Sequence, residues 1–338
     1  MRSREAIDIL ETIMKDAFNP ILPAAAHRLA VEHAPERATR PEAGVSVGSV
    51  LVVGATGTIG ASLVPGLLAA GHRVRAASRT GRPVAGAESV RLDLAQPDTY
   101  PHALEGVDRI FLVNPSENLD VAGALHPMIE QAARRSIRVV LLSQHRADRD
   151  PSNPYAVAER HMRTVGARGV VLRPNWFSDN FHTFWAEGVA SGVLSLPAAG
   201  GRISFVDSRD IADAAVAALG TDRFDGQAFE LTGPQALDLH QAVALLSSVA
   251  GRAIRYEPVT PQRYIAVLAQ GGVPETYARM LAGLFDLVRA GDTAEVADGV
   301  RRLTGLAPRS LARYARERWG EAAGAGVAVG LPDDEHRA

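Results

Sequence analysis

Thiols and amines are almost absent from this sequence. None of its 338 residues is cysteine, and the one lysine is Lys15. The lack of cysteine excludes disulfides, thiolate nucleophiles and cysteine-ligated metals, and the lack of other lysines excludes lysine catalysis in the folded core. No apolar run approaches the roughly 20 residues that span a bilayer, and no His, Asp or Glu cluster has the spacing of metal ligands. We therefore expect no membrane segment and no metal.

An excess of charge of either sign is also missing. The formal net charge of −2 gives no basic field for nucleic acid or an anionic membrane, so neither is an expected partner. Glu5, Asp8 and Glu11 interrupt the stretch after the first arginines, which argues against a secretion signal and makes the cytoplasm the expected location. A hydrophobic content of 46% supports a large core, and the length suits about two domains.

A glycine-rich turn between a strand and a helix organises the chain. The apolar run before Gly54 reads as a buried parallel strand, and residues 61–70 run at helical period as far as Gly71. Between them stand Gly54, Gly57 and Gly60, which permit a tight turn, a close backbone approach to a diphosphate and close packing of the helix on the sheet. The helix N-terminus would bind the diphosphate. This context favours dinucleotide binding over a merely convenient turn.

Strands and helices then alternate, which predicts right-handed crossovers and a doubly wound parallel sheet of the Rossmann type. We predict further strands at 73–77, 89–92, 108–113, 138–142 and 169–172, with helices at 119–135 and 155–166. After residue 174 we predict an aromatic-rich helix to about 190, strands at 203–206 and 229–231, a helix at 210–219, and mostly helix up to 318.

These patterns predict four segments. They are a helical N-terminal extension with a linker (1–47), an NADP-binding Rossmann domain (48–174), a substrate-binding part interleaved with the last strands (175–319) and a flexible tail (320–338). The apolar face of the first helix must be buried on its own domain or on a neighbouring subunit. We interpret the extension as a dimer arm or a pocket lid.

The end of the second strand indicates the cofactor. An enzyme that uses NAD usually carries Asp or Glu there to bind the ribose hydroxyls, but this chain has Ser78, Arg79 and, after two residues, Arg82. Guanidinium groups bind a 2′-phosphate bidentately, so the sequence predicts NADPH. The alternative is that these are solvated arginines in an arginine-rich chain.

The motifs VLVVGATGTIG (50–60), LRPNWFSDNF (172–181) and FVDSRDIA (205–212) resemble the NmrA-like branch of the atypical short-chain dehydrogenase/reductases. The resemblance covers about residues 49–318, and the second motif looks like that of quinone-reductase-like and ergot-alkaloid-reductase-like members. Ligands of parallel sheets bind beyond the carboxyl ends of the strands, and with the resemblance this predicts cofactor contacts from Gly54, Thr56, Gly57, Thr58, Ile59, Gly60, Ser78, Arg79, Asp93, Leu94, Asn114, Pro115 and Ser143. The resemblance matches Asp93 to the family aspartate that approaches the adenine, and a turn or helix cap is the alternative for this residue. The aromatic stretch offers an apolar wall for a flat substrate, or plain core, through Trp176, Phe177, Asn180 and Phe181.

The Tyr/Lys pair of classical members is absent. Tyr155 is followed four residues later by Glu159 rather than lysine, and a carboxylate beside a tyrosine raises its pKa. The resemblance places Tyr155 at the lysine position itself, where a pocket or ribose contact is expected. The remaining candidates for a catalytic role are Ser143, His145 and Tyr155, with a capping serine and a solvated histidine as the alternatives.

From these observations the chain is predicted to be an NADPH-dependent reductase of a small organic acceptor, in which the cofactor carries the chemistry. An imine or iminium, a quinone and an activated alkene are the acceptors considered, in a specialised-metabolism setting. Two alternatives stay open, because fold alone does not decide function. One is a redox-sensing regulatory protein that binds NADP(H) without turnover, as the name-giving member of the family implies, and the other is an isomerase or cyclase that recycles its hydride.

Overall fold

The computed structural model describes residues 47–116 and 118–324, with the backbone alone for the last four. The predicted helices of the N-terminal extension lie outside the described residues, as does the segment 325–338 of the predicted tail. Within the described part of the chain, no helix is long and apolar enough to cross a membrane.

A seven-stranded parallel sheet forms the centre of the molecule. Its strands are β1 (Ser49–Val53), β2 (Arg73–Ser78), β3 (Glu88–Arg91), β4 (Arg109–Leu112), β5 (Arg138–Leu142), β6 (Gly169–Pro174) and β9 (Ala228–Leu231). They lie in the order β3-β2-β1-β4-β5-β6-β9, and the register places Val52 of β1 between Ala76 and Phe111 of the two neighbouring strands. Strands β1, β5 and β6 are buried at every residue, as expected for a sheet covered on both faces.

Helices cover both faces of this sheet. On one face α1 (Gly60–Ala69), α6 (Ser208–Gly220) and α10 (Gly299–Thr304) bury side chains such as Leu63 and Ile211. On the other face Leu125 and Met162 belong to a second core, formed with α2 (Tyr100–Ala103), α3 (Val121–Arg134) and α4 (Pro154–Thr164). The predicted Rossmann-type fold is therefore confirmed.

A cap with its own aromatic core stands beside the sheet. Two small sheets support it, one pairing β7 (Val193–Leu196) with β11 (Arg255–Pro258) in parallel and the other pairing β8 (Arg202–Ile203) with β10 (Leu237–Asp238). Its helices are α5 (Ala186–Ser191), α7 (Leu239–Ala250), α8 (Pro261–Gln270), α9 (Glu275–Ala290) and α11 (Leu311–Gly324).

The cap is where the sequence-based prediction departs from the structure. The continuous helix expected over 175–190 is wrong, because a 3-10 turn (Ser178–His182) and α5 replace it. The Asp179 carboxylate accepts from the backbone and hydroxyl of Ser208, which anchors this turn to the start of α6. The expected strand 203–206 is reduced to β8 and an isolated bridge at Val206. Strands β7, β10 and β11 were not predicted, and α11 continues five residues into the predicted tail.

Candidate functional site

The glycine turn after β1 has the geometry that a diphosphate requires. Gly54 adopts a φ of +71°, which favours glycine, and its carbonyl accepts from the Gly57 backbone N–H at 2.9 Å. Thr56, Gly57 and Thr58 are exposed at the start of α1. Among the described residues, no side chain caps this helix at Ile59, and the Ala61 and Ser62 N–H groups donate to the carbonyls of Gly57 and Ile59 at 2.9 and 3.0 Å. A diphosphate would therefore meet the exposed backbone of residues 56–58, at the positive end of the helix dipole.

The third glycine of the turn is required by packing. A Cβ placed on Gly60 would lie 2.3 Å from the Gly54 carbonyl oxygen and 2.6 Å from Ala55. We expect Gly60→Ala to lower the free energy of unfolding by at least about 2 kcal/mol, because the backbone it meets cannot rotate away. Chemical denaturation would measure this loss.

A matched control for that substitution is Gly283→Ala in α9, where the added methyl meets nothing within 4 Å. We expect this control to be neutral or stabilising, since alanine is the better helix former. Equal effects of the two substitutions would show that close packing at Gly60 is not the cause.

Exposed arginines surround the carboxyl end of β2. Arg79 and Arg82 are both exposed, and the Ser78 hydroxyl accepts from the Arg82 backbone N–H at 3.1 Å. Arg91, at the end of β3, donates through Nε to the Arg79 carbonyl at 3.3 Å. Sequence reasoning missed Arg91, although its position at the end of the adjacent strand would have indicated it. The three arginines form a positively charged edge, and β2 itself ends at Ser78 rather than at Asp or Glu.

Asp93 has a structural role in the turn that follows β3. Its Oδ1 accepts from the Ala95 N–H at 3.0 Å, and its Oδ2 accepts from Gln96 Nε2 at 2.7 Å. The neighbouring Leu94 is buried, and its carbonyl accepts from the Tyr100 hydroxyl at 2.6 Å. These two residues thus shape the edge of the site beside the arginines, and their predicted cofactor contact remains a prediction.

The loop after β4 brings two predicted residues together. Asn114 is buried, and its Nδ2 donates to the carbonyls of Pro115 at 3.0 Å and Asn118 at 2.8 Å. Tyr155, from the first turn of α4, is partly buried near this amide. Burial raises the pKa of Tyr155, and Asn114 offsets part of that rise. A tyrosine in this state is a weaker acid than a free one, so it is poorly suited to donate a proton near neutral pH.

Ser143 ends β5 and is bound to a buried ion pair. Its hydroxyl lies 2.5 Å from Oε1 of Glu159, a carboxylate on α4 that is only 1% exposed. Arg173, on β6, donates to the same carboxylate through Nε at 3.0 Å and through a terminal nitrogen at 2.6 Å. The fork geometry of arginine matches a carboxylate in this way. Sequence reasoning quoted Arg173 as part of a motif but gave it no role.

His145 is not the solvated loop histidine that was considered as an alternative. The side chain is buried, with Nδ1 2.6 Å from Glu230 Oε2 on β9 and Nε2 3.2 Å from the Asp292 carbonyl oxygen. Arg146, in a left-handed conformation at φ +53°, pairs with Asp292 as well. Both ring nitrogens thus face protein oxygens, and the segment after β5 is fixed to the loop that follows α9.

The aromatic residues divide into wall and core. Trp176 is partly buried and stacks on Trp185, with ring centroids 5.6 Å apart, and it meets Phe285 of α9 at a tilted angle, with centroids 4.7 Å apart. Tyr264 of α8 meets Phe285 edge-on at 5.7 Å, and burial raises the pKa of Tyr264 to about 12. Phe181 is fully buried, which places it in the core of the cap. Phe177 and Asn180 are partly buried beside them, and sequence reasoning missed Phe285 and Tyr264.

A buried histidine of the cap gives the fold a pH dependence. His182 contacts the Tyr314 hydroxyl through Nδ1, and burial together with Arg318 lowers the pKa of His182 to about 4. Between its ordinary pKa of 6.5 and 4 the unfolded chain binds more protons, so stability present above pH 6.5 is lost as the pH falls. We expect His182→Gln to reduce the fall in unfolding free energy between pH 7 and pH 5 by about 1 kcal/mol, the partial exposure of the ring limiting the effect.

Urea denaturation at both pH values would measure this change. The control is His102→Gln, because His102 is exposed and lies 3.7 Å from the exposed Glu105. An unchanged pH dependence in His182→Gln would contradict the assignment.

The fold and the glycine turn define a dinucleotide-binding protein of the Rossmann type. Comparison with known proteins then identifies the family: residues 47–311 match the NmrA-like family, to which the chain belongs. Among the described residues no group of three or more His, Asp or Glu could hold a metal ion.

Relatives agree with this assignment. Prestalk A differentiation protein A of Dictyostelium discoideum is 30% identical over 286 residues, which cover 82% of this chain and 94% of that protein. An NAD(P)H azoreductase of Xenophilus azovorans is 30% identical over 280 residues, which cover 79% of this chain and 96% of that protein. An Escherichia coli NADPH-dependent quinone oxidoreductase in complex with NADPH shares the fold, with a TM-score of 0.71 and 23% identity over 79% of this chain and 98% of that one. The chain is an NAD(P)-dependent oxidoreductase.

Proposed function

We propose that this protein is an NADPH-dependent reductase that delivers hydride to an acceptor needing little or no help from a protein acid: a quinone, an imine or iminium, or an activated alkene. The observation that carries this proposal is the state of the three candidate proton donors. The Ser143 hydroxyl is engaged by the Glu159 carboxylate, His145 lies between two oxygens, and burial raises the pKa of Tyr155.

The residues at the carboxyl edge of the sheet fit NADPH. The exposed, side-chain-free Gly57 and the uncapped start of α1 suit a diphosphate, and Arg79 and Arg82 suit a 2′-phosphate. Asn114, Pro115 and Ser143, at the ends of β4 and β5, would then lie along the nicotinamide half. When bound, NADPH supplies the hydride.

Acceptors differ in whether their reduction needs a protein acid to supply a proton. A simple ketone develops alkoxide charge that a positioned acid must protonate. An iminium is already cationic, and its reduced product is a neutral amine. A quinone or an activated alkene delocalises the developing charge, so water or a weak donor suffices. Ser143 and His145 are engaged by other groups, and the pKa of Tyr155 is raised. Such a site matches the second and third kinds of acceptor.

The aromatic wall supports a flat acceptor. Trp176 is the partly buried ring of this wall and is backed by the buried rings of Trp185 and Phe285, and indole faces attract delocalised cations. The relatives named for azo and quinone reduction act on flat conjugated groups. This wall gives the proposal its preference for planar conjugated substrates.

The test is NADPH oxidation, followed at the nicotinamide absorbance, with a benzoquinone, a cyclic iminium, a conjugated enone and an azo dye. Turnover of at least one, with the reduced product identified by mass spectrometry, supports the proposal. Binding of NADP+ and NADPH with silence across the panel would favour the redox sensor instead. An altered product formed without net NADPH consumption would indicate the isomerase or cyclase.

A further inference from the structure

The buried pair Glu159–Arg173 decides which way the Ser143 hydroxyl points. Glu159 Oε1 receives both Ser143 Oγ at 2.5 Å and Arg173 Nε at 3.0 Å, while Oε2 receives a terminal arginine nitrogen at 2.6 Å. Asp148 lies 2.7 Å from the other terminal nitrogen of Arg173, and these carboxylates raise the pKa of Arg173. The guanidinium is thus fully charged and fixed, and it neutralises the carboxylate that Ser143 contacts.

A carboxylate accepts hydrogen bonds and donates none, so the Ser143 proton must point at Glu159. The oxygen of Ser143 then has only lone pairs left for anything else. Its backbone is equally fixed, since the Ser143 N–H donates to the Leu172 carbonyl at 2.7 Å. Ser143 therefore serves the carboxyl edge of the sheet as a hydrogen-bond acceptor.

Sheet order locates the group that this acceptor would meet. The glycine turn follows β1, and the arginines that suit a 2′-phosphate follow β2 and β3 on one side of it. The other half of a dinucleotide must extend over β4 and β5, at whose ends Asn114 and Ser143 lie. The nicotinamide carboxamide carries an amino group with two N–H donors, the complement of an oxygen with free lone pairs.

We propose that Glu159, held by Arg173, is a positioning residue that makes Ser143 an acceptor for the carboxamide amino group of the nicotinamide. This inference rests on the proposed use of NADP(H). It gives Glu159 and Arg173 the role of orienting the Ser143 hydroxyl. Ser143 then contacts the nicotinamide as a hydrogen-bond acceptor rather than as a proton donor.

The experiment compares three ligands by calorimetry with the full chain. NADP+ carries the amino group, its 3-acetylpyridine analogue replaces that group with a methyl, and 2′,5′-ADP lacks the ring altogether. We expect the wild type to bind NADP+ roughly 3- to 10-fold more tightly than the acetylpyridine analogue, the usual effect of one hydrogen bond. Ser143→Ala should bring this ratio close to one, and Ser143→Thr, which keeps the hydroxyl, should retain it.

Glu159→Gln tests the positioning role. An amide in place of the carboxylate can donate to Ser143 Oγ and release its proton, so the ratio should fall at least twofold while 2′,5′-ADP affinity stays unchanged. Glu130→Gln is the matched control, because it makes the same chemical change at a carboxylate on α3 whose partner Arg134 is largely exposed.

Two results would overturn the inference alone: a wild-type ratio of one, or a full ratio retained in Ser143→Ala. Parallel weakening of all three ligands in Glu159→Gln would show a structural role and overturn the positioning role. If the wild type bound neither NADP+ nor 2′,5′-ADP, the proposed function would be overturned as well.

Discussion

Simple ketones are expected to be reduced at least about a hundredfold more slowly than quinones or iminium ions of similar size. A positioned acid contributes roughly 10²- to 10⁴-fold to a step that protonates oxygen. Lysine, which would tune a tyrosine for this task, is missing from the described residues, and burial raises the pKa of Tyr155. The difference should therefore appear in kcat rather than in KM.

Matched pairs of substrates give the sharpest measurement. Cyclohexanone and the iminium formed from it with a secondary amine share a ring, so they differ mainly in the charge of the acceptor. Tyr155→Phe should leave iminium and quinone reduction within about threefold of the wild type, because no step depends on that hydroxyl as an acid. Ketone turnover equal to quinone turnover, abolished by Tyr155→Phe, would refute the argument and identify Tyr155 as the acid.

NADPH is expected to bind about 10- to 100-fold more tightly than NADH. The proposed site places the 2′-phosphate at the charged edge of Arg79, Arg82 and Arg91, which are all exposed, and charge-assisted hydrogen bonds to guanidinium are stronger than neutral ones. Because these side chains are exposed, the preference should weaken as salt concentration rises.

Substitutions separate the contributions of these arginines. Arg79→Ala and Arg82→Ala should each weaken NADPH binding about 3- to 30-fold and leave NADH binding nearly unchanged. The control is Arg134→Ala, an exposed arginine on α3 that pairs with Glu130. Equal affinities for the two cofactors in the wild type, measured by fluorescence titration, would contradict the assignment of this edge.

The Rossmann half was predictable because its signals are local. Buried strands, glycine turns and amphipathic helices are each recognised from residues that are close in sequence. Strand β5, for example, has the predicted bounds. The sequence also indicated Ser143 and Asn114, since residues just after parallel strands meet at one edge of the sheet. It indicated Tyr155 through the missing Tyr/Lys pair.

The remainder depends on contacts between distant residues. The Asp179 carboxylate accepts a hydrogen bond from the hydroxyl of Ser208, 29 positions away. This contact holds residues 178–182 in a 3-10 turn instead of the continuous aromatic helix that periodicity predicted. His145 finds Glu230 and Asp292 from other elements, and no local pattern reveals that a loop histidine will be buried between them. The ion pair between Glu159 and Arg173 could not be predicted either, although the sequence analysis considered Glu159 beside Tyr155 and included Arg173 in a motif.

The last strand of the sheet limits how this protein can be recombined with its relatives. β9 pairs with β6 along four residues, and α6 and α10 pack on the sheet, yet all three come from the segment after residue 174. A chimera that exchanged residues 175–319 as one unit would replace a strand and two helices of the Rossmann fold together with the aromatic wall. Grafts confined to 176–205 and 237–290 would transplant the aromatic wall and leave the native sheet intact.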